Sequence, residues 1–325
     1  MNALILPTAT IAAAVLLGWL GLAARGTTML YAWCWACVAA TGIAGVEFAV
    51  TLPEGFALIS DASKPARYLA AILLFCPLMS ALGSKRPHEQ AWQWIVLSLW
   101  GILSLPALEW LALRRAPALE ISGVRGWFLL LLVGMTAIHW LGTRITVAGG
   151  LLAAAQACAL WEWLPFGGTP VEPWISQTLL LAALAAGSLA LRHPGPSMMS
   201  SGGGDVSGTG ESGGDEPRDG LVSPSNAEWE SATARDRVWQ DFRDRFGTLW
   251  AFRLMERVNS AAALANWSVR LGWNGFQTPH PDGEEAVAAS TANAWDTGAN
   301  QVLWNLLRRF VSTTWCQARG WKPPD

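Results

Sequence analysis

Charged residues are scarce in this 325-residue chain, at 14% of positions, where a water-facing globular domain carries about 25%. A chain so poor in charge cannot coat an aqueous surface along its whole length, which excludes a wholly soluble enzyme. The net charge of −2 excludes a nucleic-acid binder driven by charge and implies no partner of either sign. Lysine is nearly missing: Lys64, Lys85 and Lys322 stand against 19 arginines. With abundant Ala and Gly, this composition suggests a GC-rich bacterial source. The five cysteines are Cys34, Cys37, Cys76, Cys158 and Cys316, four of them inside apolar runs, so no disulfide framework is assigned. P-loop and EF-hand spacings are absent. His88-Glu89 opens an H-E-x-x-H, but Trp92 takes the second ligand position and the zinc site fails. The sequence thus implies neither cofactor nor metal.

What is present is apolar: 52% of residues, with 21 Trp against 2 Tyr. The charge deficit is uneven. Residues 1–192 hold 10 Lys+Arg and 8 Asp+Glu, whereas 193–325 hold 12 and 16. A spanning helix needs ~20 mostly apolar residues, because the hydrocarbon core is ~30 Å thick and each residue rises ~1.5 Å. Seven stretches qualify, at approximately 3–24, 28–52, 67–84, 91–113, 126–143, 145–165 and 174–191. Breaks fall at Arg25-Gly26, Pro53-Glu54, Lys85-Arg86-Pro87, Arg114-Arg115, Arg144 and Gly167-Gly168. The first run lacks a basic flank and is too evenly apolar for a signal peptide, so it reads as a retained helix. The expected fold class is all-α: a polytopic membrane helix bundle of about seven transmembrane helices over 1–192, with a small, mainly helical soluble domain over 227–325.

Basic residues in short loops set orientation. Arg25, Lys85, Arg86, Arg144 and Arg192 fall on the side of the C-terminal tail, and Lys64, Arg67, Arg114, Arg115 and Arg125 on the other. The count ties. The first helix breaks it, since Arg25 follows that helix directly and nothing basic precedes it. This favours a bacterial inner-membrane protein with its C-terminal domain in the cytoplasm.

Ionisable groups inside a membrane are functional candidates. Here they are Glu47, Glu109, Glu162 and His139. Each glutamate has an apolar or aromatic neighbour on both sides and a proline six to eight residues on, at Pro53, Pro117 and Pro170. All three fall in the last turns of even-numbered helices, at similar depth on the face opposite the tail. This pattern suggests three similar hairpins plus one returning helix. Three carboxylates converging there would raise one another's pKa and handle a cation or protons. In the simpler reading each snorkels to the interface, which relieves most of the desolvation cost. His139 lies near the other end of its helix and does not meet them.

Other motifs carry less. Cys34-Trp35-Ala36-Cys37 is a C-x-x-C with no basic neighbour to activate a thiol, and reads as packing. The stretch 208–214 matches G-x-G-x-x-G and G-x-S-x-G, and Gly202-Gly203-Gly204-Asp205 matches G-x-G-D, but no strand–turn–helix context or span surrounds them. Trp33, Trp35, Trp92, Trp94, Trp110, Trp127, Trp140, Trp161, Trp163 and Trp174 fall near helix ends and read as an interfacial belt.

From Pro194 to about Asn226 the chain turns to Gly, Ser, Asp and Pro, so 193–226 is expected to be a disordered linker with a reach on the order of 30 Å. Beyond it, Ser225-x-x-Glu228 forms a capping box. It opens a helix with Trp239, Phe242, Phe246 and Leu249 on one face and a charge run from Arg235 to Arg245 on the other, read as solvated. A second helix follows Gly247, then a short strand ending at Asn274-Gly275, then a helix near 297–318. Nine tryptophans crowd this tail, and Trp229, Trp250, Trp273 and Trp304 are the candidate contact surface. The functional expectation is an interaction, assembly or regulatory component acting through 227–325 on another membrane or cytoplasmic protein. The partners are the lipid bilayer and that protein, with no nucleic acid. The alternative is an ion-coupled transporter using Glu47, Glu109 and Glu162.

Overall fold

The computed structural model describes residues 2–51, 57–113, 123–192, 226–267, 269–277 and 288–324. Of the expected linker, 193–226, residues 193–225 lie outside them and Asn226 opens a helix. The chain is mostly helical, in the order α1 (Asn2–Ala24), α2 (Leu30–Thr51), α3 (Ala57–Leu73), α4 (Cys76–Leu82), α5 (Glu89–Leu113), α6 (Gly123–His139), α7 (Thr146–Ala159) and α8 (Pro173–Arg192). There follow α9 (Asn226–Leu264), the hairpin β1 (Arg270–Gly272) and β2 (Gly275–Gln277), α10 (Ala288–Leu307) and α11 (Thr313–Gln317).

Among the described residues four helical stretches are long and apolar enough to cross a membrane: Leu30–Val50, Ala62–Leu82, Glu89–Ala112 and Pro173–Leu191. Ile11–Ala24, Gly123–His139 and Thr146–Ala159 are shorter apolar helices. Two of the seven runs differ from expectation in their backbone. The run at 67–84 is bent, because Pro77 opens α4 and has no N–H to donate to the Leu73 carbonyl at i−4. The run at 145–165 stops being α-helical at Ala159 and tightens into a 3-10 turn at Trp161–Trp163.

Helix α2 packs on α1, α3 and α4, α3 on α5, α7 on α6 and α8, and α8 returns to α1. The bundle core holds Tyr68, Ile72, Phe75, Leu129, Leu132 and Leu160. Tyr68 meets Trp163 edge-on at 5.0 Å and donates to the Leu103 carbonyl at 2.9 Å. The outer faces are apolar: Trp94 is 71% exposed and Val124 82%. Several indoles expected in the belt point inward instead. Trp33 lies against Gly21 and donates to the Leu17 carbonyl at 2.7 Å, and Trp92 lies against Gly83 and donates to that of Met79 at 2.7 Å.

Residues 226–324 have their own core, which includes Trp239, Phe242, Phe246, Leu303, Phe310 and Trp321. Phe242 stacks on Phe246 at 4.6 Å, and Phe310 meets both edge-on at 5.3 Å. Gly247, with φ +80°, breaks α9 as expected. Residues 270–277 form a two-stranded hairpin rather than one strand ending at Asn274-Gly275, with Leu271 opposite Phe276. The expected helix over 297–318 stops at Leu307, because Val311 bridges Thr27 in extended geometry and Ser312 restarts the chain as the cap of α11. The charge run on α9 is not a solvated face: Arg235, Arg243 and Asp244 are buried.

Candidate functional site

Lys64 and Arg67 stand three residues apart in the middle of α3, so their side chains share one face. Arg67 grips Glu47 of α2 with both arms of its guanidinium, Nε to Oε1 at 2.9 Å and a terminal nitrogen to Oε2 at 3.1 Å. Lys64 Nζ lies 2.9 Å from Glu162 Oε1, on the 3-10 turn after α7. The two pairs border a cavity of about 240 Å³ closed by Glu172, Ser176 and Gln177 at the start of α8. Ile43, Leu74 and Leu180 add apolar wall. Two of the three bordering carboxylates, Glu47 and Glu162, are charge-compensated, so a cation binding to either one competes with Arg67 or Lys64. The pairs are unequal: the Glu47 side chain is 15% exposed, whereas Lys64 and Glu162 are 63% and 29% exposed.

The structure brings Glu47 and Glu162 to one cavity and leaves the other two candidates elsewhere. Glu109 is exposed and does not line it. His139 lies at the opposite end of the bundle, since Glu47 is 17 residues along α2 from Leu30, roughly 25 Å at 1.5 Å per residue. Lys64 and Arg67 enter the sequence argument only as loop charges. Their three-residue spacing beside Pro65 is the signal that they belong to a helix face.

A second assembly lies at that opposite end, where residues 226–324 meet the loops after α1, α4 and α6. Helix C-termini leave carbonyls without intrahelical donors, and this segment supplies them. Arg245 donates to the Ala23 carbonyl at 2.8 Å, and Trp250 Nε1 to that of Ala81 at 3.1 Å. On the loop after α6, Thr248 Oγ1 reaches the Leu141 carbonyl at 2.6 Å and Trp273 Nε1 that of Gly142 at 3.0 Å. Backbone joins backbone too: Thr28 N–H donates to the Phe310 carbonyl at 2.9 Å, Ser312 N–H to that of Gly26 at 2.8 Å and Arg86 N–H to that of Arg309 at 2.9 Å. Arg144 Nε lies 3.0 Å from Asp244 Oδ2, and the same guanidinium is 3.6 Å from Asp241. Arg243 lies 2.9 Å from Asp244 and Arg319 2.7 Å from Asp241, so three guanidiniums share these two carboxylates.

His139 is buried under this interface, beside Trp140 at 4.5 Å. Gly247 sits directly on its ring, and neither ring nitrogen has a hydrogen-bond partner among the described residues. Burial pushes the Cys316 thiol up to about 12 and the Arg245 guanidinium down to about 10, so Arg245 stays charged at neutral pH. Of the candidate contact tryptophans, Trp250 and Trp273 face the chain's own bundle, and Trp304 lies half-buried, edge-on to Trp321 at 6.4 Å. The side chain of Trp229 lies outside the described ones. Cys34 is exposed and Cys37 lines a shallow apolar groove between α2 and α3, both as free thiols. Among the described residues no group of His, Cys, Asp and Glu could hold a metal. No protein-family model, no curated protein and no solved structure matches the chain.

Proposed function

We propose that the chain is a seven-helix protein of a bacterial inner membrane whose cytoplasmic C-terminal domain, 227–325, acts as a regulatory and interaction module. The observation that supports this reading is the seat of that segment on the α1, α4 and α6 ends, through Arg245, Thr248, Trp250, Trp273 and the Arg144–Asp244 pair. A segment that satisfies helix-end carbonyls is a cover over that face, and its release uncovers both surfaces to a partner. The exposed apolar faces of α1, α2, α5, α6, α7 and α8 support membrane burial of those six runs, and the run at 67–84 is largely enclosed among them. The test is affinity purification in mild detergent of the full chain and of a chain lacking 227–325. A membrane or cytoplasmic partner recovered only with the full chain supports the reading. Recovery of the same proteins with both chains overturns it.

One observation favours a second reading, an ion-coupled transporter: Glu47 and Glu162 share a cavity with Lys64 and Arg67. Proton or cation flux in proteoliposomes, lost on Glu47→Gln or Glu162→Gln, would support it. Flux indifferent to both substitutions would remove it.

A further inference from the structure

We propose that Lys85, Arg86, Arg253, Arg257, Arg308 and Arg309 form a surface for anionic phospholipid headgroups at the edge of the docked C-terminal segment. The six come from two parts of the chain. Lys85 and Arg86 lie in the turn between Ala62–Leu82 and Glu89–Ala112, both long and apolar enough to span, which puts that turn at headgroup depth. The Arg86 N–H donates to the Arg309 carbonyl at 2.9 Å, so the turn and the segment carry their charges side by side. Five of the six, all but Lys85, are exposed.

Two independent features identify the ligand class. The first is uncompensated charge. Lys85 is driven below its ordinary value by burial and then by Arg309, Arg257 and Arg253, all cations. Such a cluster is destabilised by its own repulsion, which an anion relieves. Glu89 and Glu256 are the acids within four residues of these cations along the chain, two against six. The second is the face of α9 beside the cluster. Leu249, Phe252, Arg253, Glu256 and Arg257 recur at helical spacing, and all are exposed. Large apolar side chains interleaved with arginine on one exposed helix face match the boundary between headgroups and acyl chains. A soluble anion would use the charges but not Leu249 and Phe252, so the geometry favours a lipid. Arg253 is held over the Trp250 ring at 5.2 Å, which gives the surface an optical reporter.

The inference rests on membrane placement, which alkaline carbonate extraction tests separately. The experiment uses the full chain in nonionic detergent, with thermal unfolding and Trp fluorescence read against added short-chain phosphatidylglycerol, phosphatidylcholine or inorganic phosphate. Phosphatidylglycerol should raise the melting temperature and shift the emission, phosphatidylcholine and phosphate should not, and the effect should fade with salt. Replacing Arg253, Arg257, Arg308 and Arg309 together by Gln should weaken the apparent affinity by about fivefold per charge. The same four changed to Lys should retain it, and the melting temperature without lipid shows that each variant folds. An equal response to phosphatidylcholine or phosphate, or an undiminished response in the Gln variant, overturns the inference. A carbonate-resistant chain without a phosphatidylglycerol response overturns the lipid surface alone, whereas a carbonate-extracted chain overturns the membrane placement first.

Discussion

At Gly247 the backbone has φ +80° and ψ 175°, a region that side-chain-bearing residues enter only at a cost of about 1–3 kcal/mol. A Cβ there would also overlap the His139 imidazole. The Gly247→Ala variant should therefore lose stability by more than the backbone cost, because the ring is walled in and cannot retreat. Adding His139→Ala should recover the steric part and leave the backbone part, so the two changes should couple in a double-mutant cycle read by thermal unfolding. Strict additivity would mean that the ring and the glycine are not in contact. Cys316 offers a residue-scale test with a pH sign. Its thiol rises from 9.0 to about 12 by burial, so keeping it neutral adds stability that is full below about pH 9 and lost as pH climbs from 9 towards 12. Maleimide at pH 8 should leave Cys316 untouched in the folded chain and modify it on unfolding, as mass spectrometry of the C-terminal peptide would record.

Among the elements, α3 differs most from its sequence reading, because its first turns are polar and its apolar part is bent at Leu74-Phe75. Its two ion pairs should not be equivalent. Arg67→Met leaves the largely enclosed Glu47 without its fork and should cost about 2 kcal/mol, whereas Lys64→Met removes an exposed pair and should cost under about 1 kcal/mol. The double change Glu47→Gln with Arg67→Met should be milder than Arg67→Met alone, measured by unfolding in detergent. Equal effects of the two single changes would contradict the burial difference. The same elements show what a sequence can carry. The break at Gly247 is legible because it is a local matter of backbone freedom, and Asn274-Gly275 marks the hairpin to within one residue, the turn lying at Trp273-Asn274. The apolar runs are legible because their period and length are local as well. The burial of Arg235, Arg243 and Asp244 is not, since helical spacing identifies a polar face without saying what it meets. What meets Asp244 is Arg144, 100 residues away, at 3.0 Å. Glu47 and Glu162 are legible as candidates by their setting, but their pairing with α3 is a tertiary fact. The stop of α10 at Leu307 is likewise set by Thr27 and Gly26, far from it in the chain.

For the whole molecule the question is whether residues 226–324 stay seated on the bundle. The contact is held in three different ways: backbone pairing at 26–28 with 310–312, indole and guanidinium donors on helix-end carbonyls, and the Arg144–Asp241–Asp244 charges. Hydrogen bonds to carbonyls at helix ends need no new desolvation of a paired group, which favours the seated arrangement. The ion pairs strengthen once the surfaces meet and shed water, since Asp244 is almost wholly enclosed. Thr27 and Val311 face each other as an antiparallel bridge, and paired residues in such a bridge have Cα atoms about 4.5–5.5 Å apart, within disulfide range. A Thr27→Cys/Val311→Cys chain with a protease site inserted between 193 and 225 should therefore oxidise readily and migrate as one species after cleavage until reductant is added. Asp244→Arg in the same chain sets a third cation beside Arg144 and Arg243 at the least exposed point of the interface. It should slow that cross-link by at least about tenfold, the equivalent of ~1.4 kcal/mol. If the cross-link formed at the same rate with Asp244→Arg, the buried charges would have no part in holding the segment, and the backbone pairing at 26–28 and the donors to the helix-end carbonyls would account for the seat.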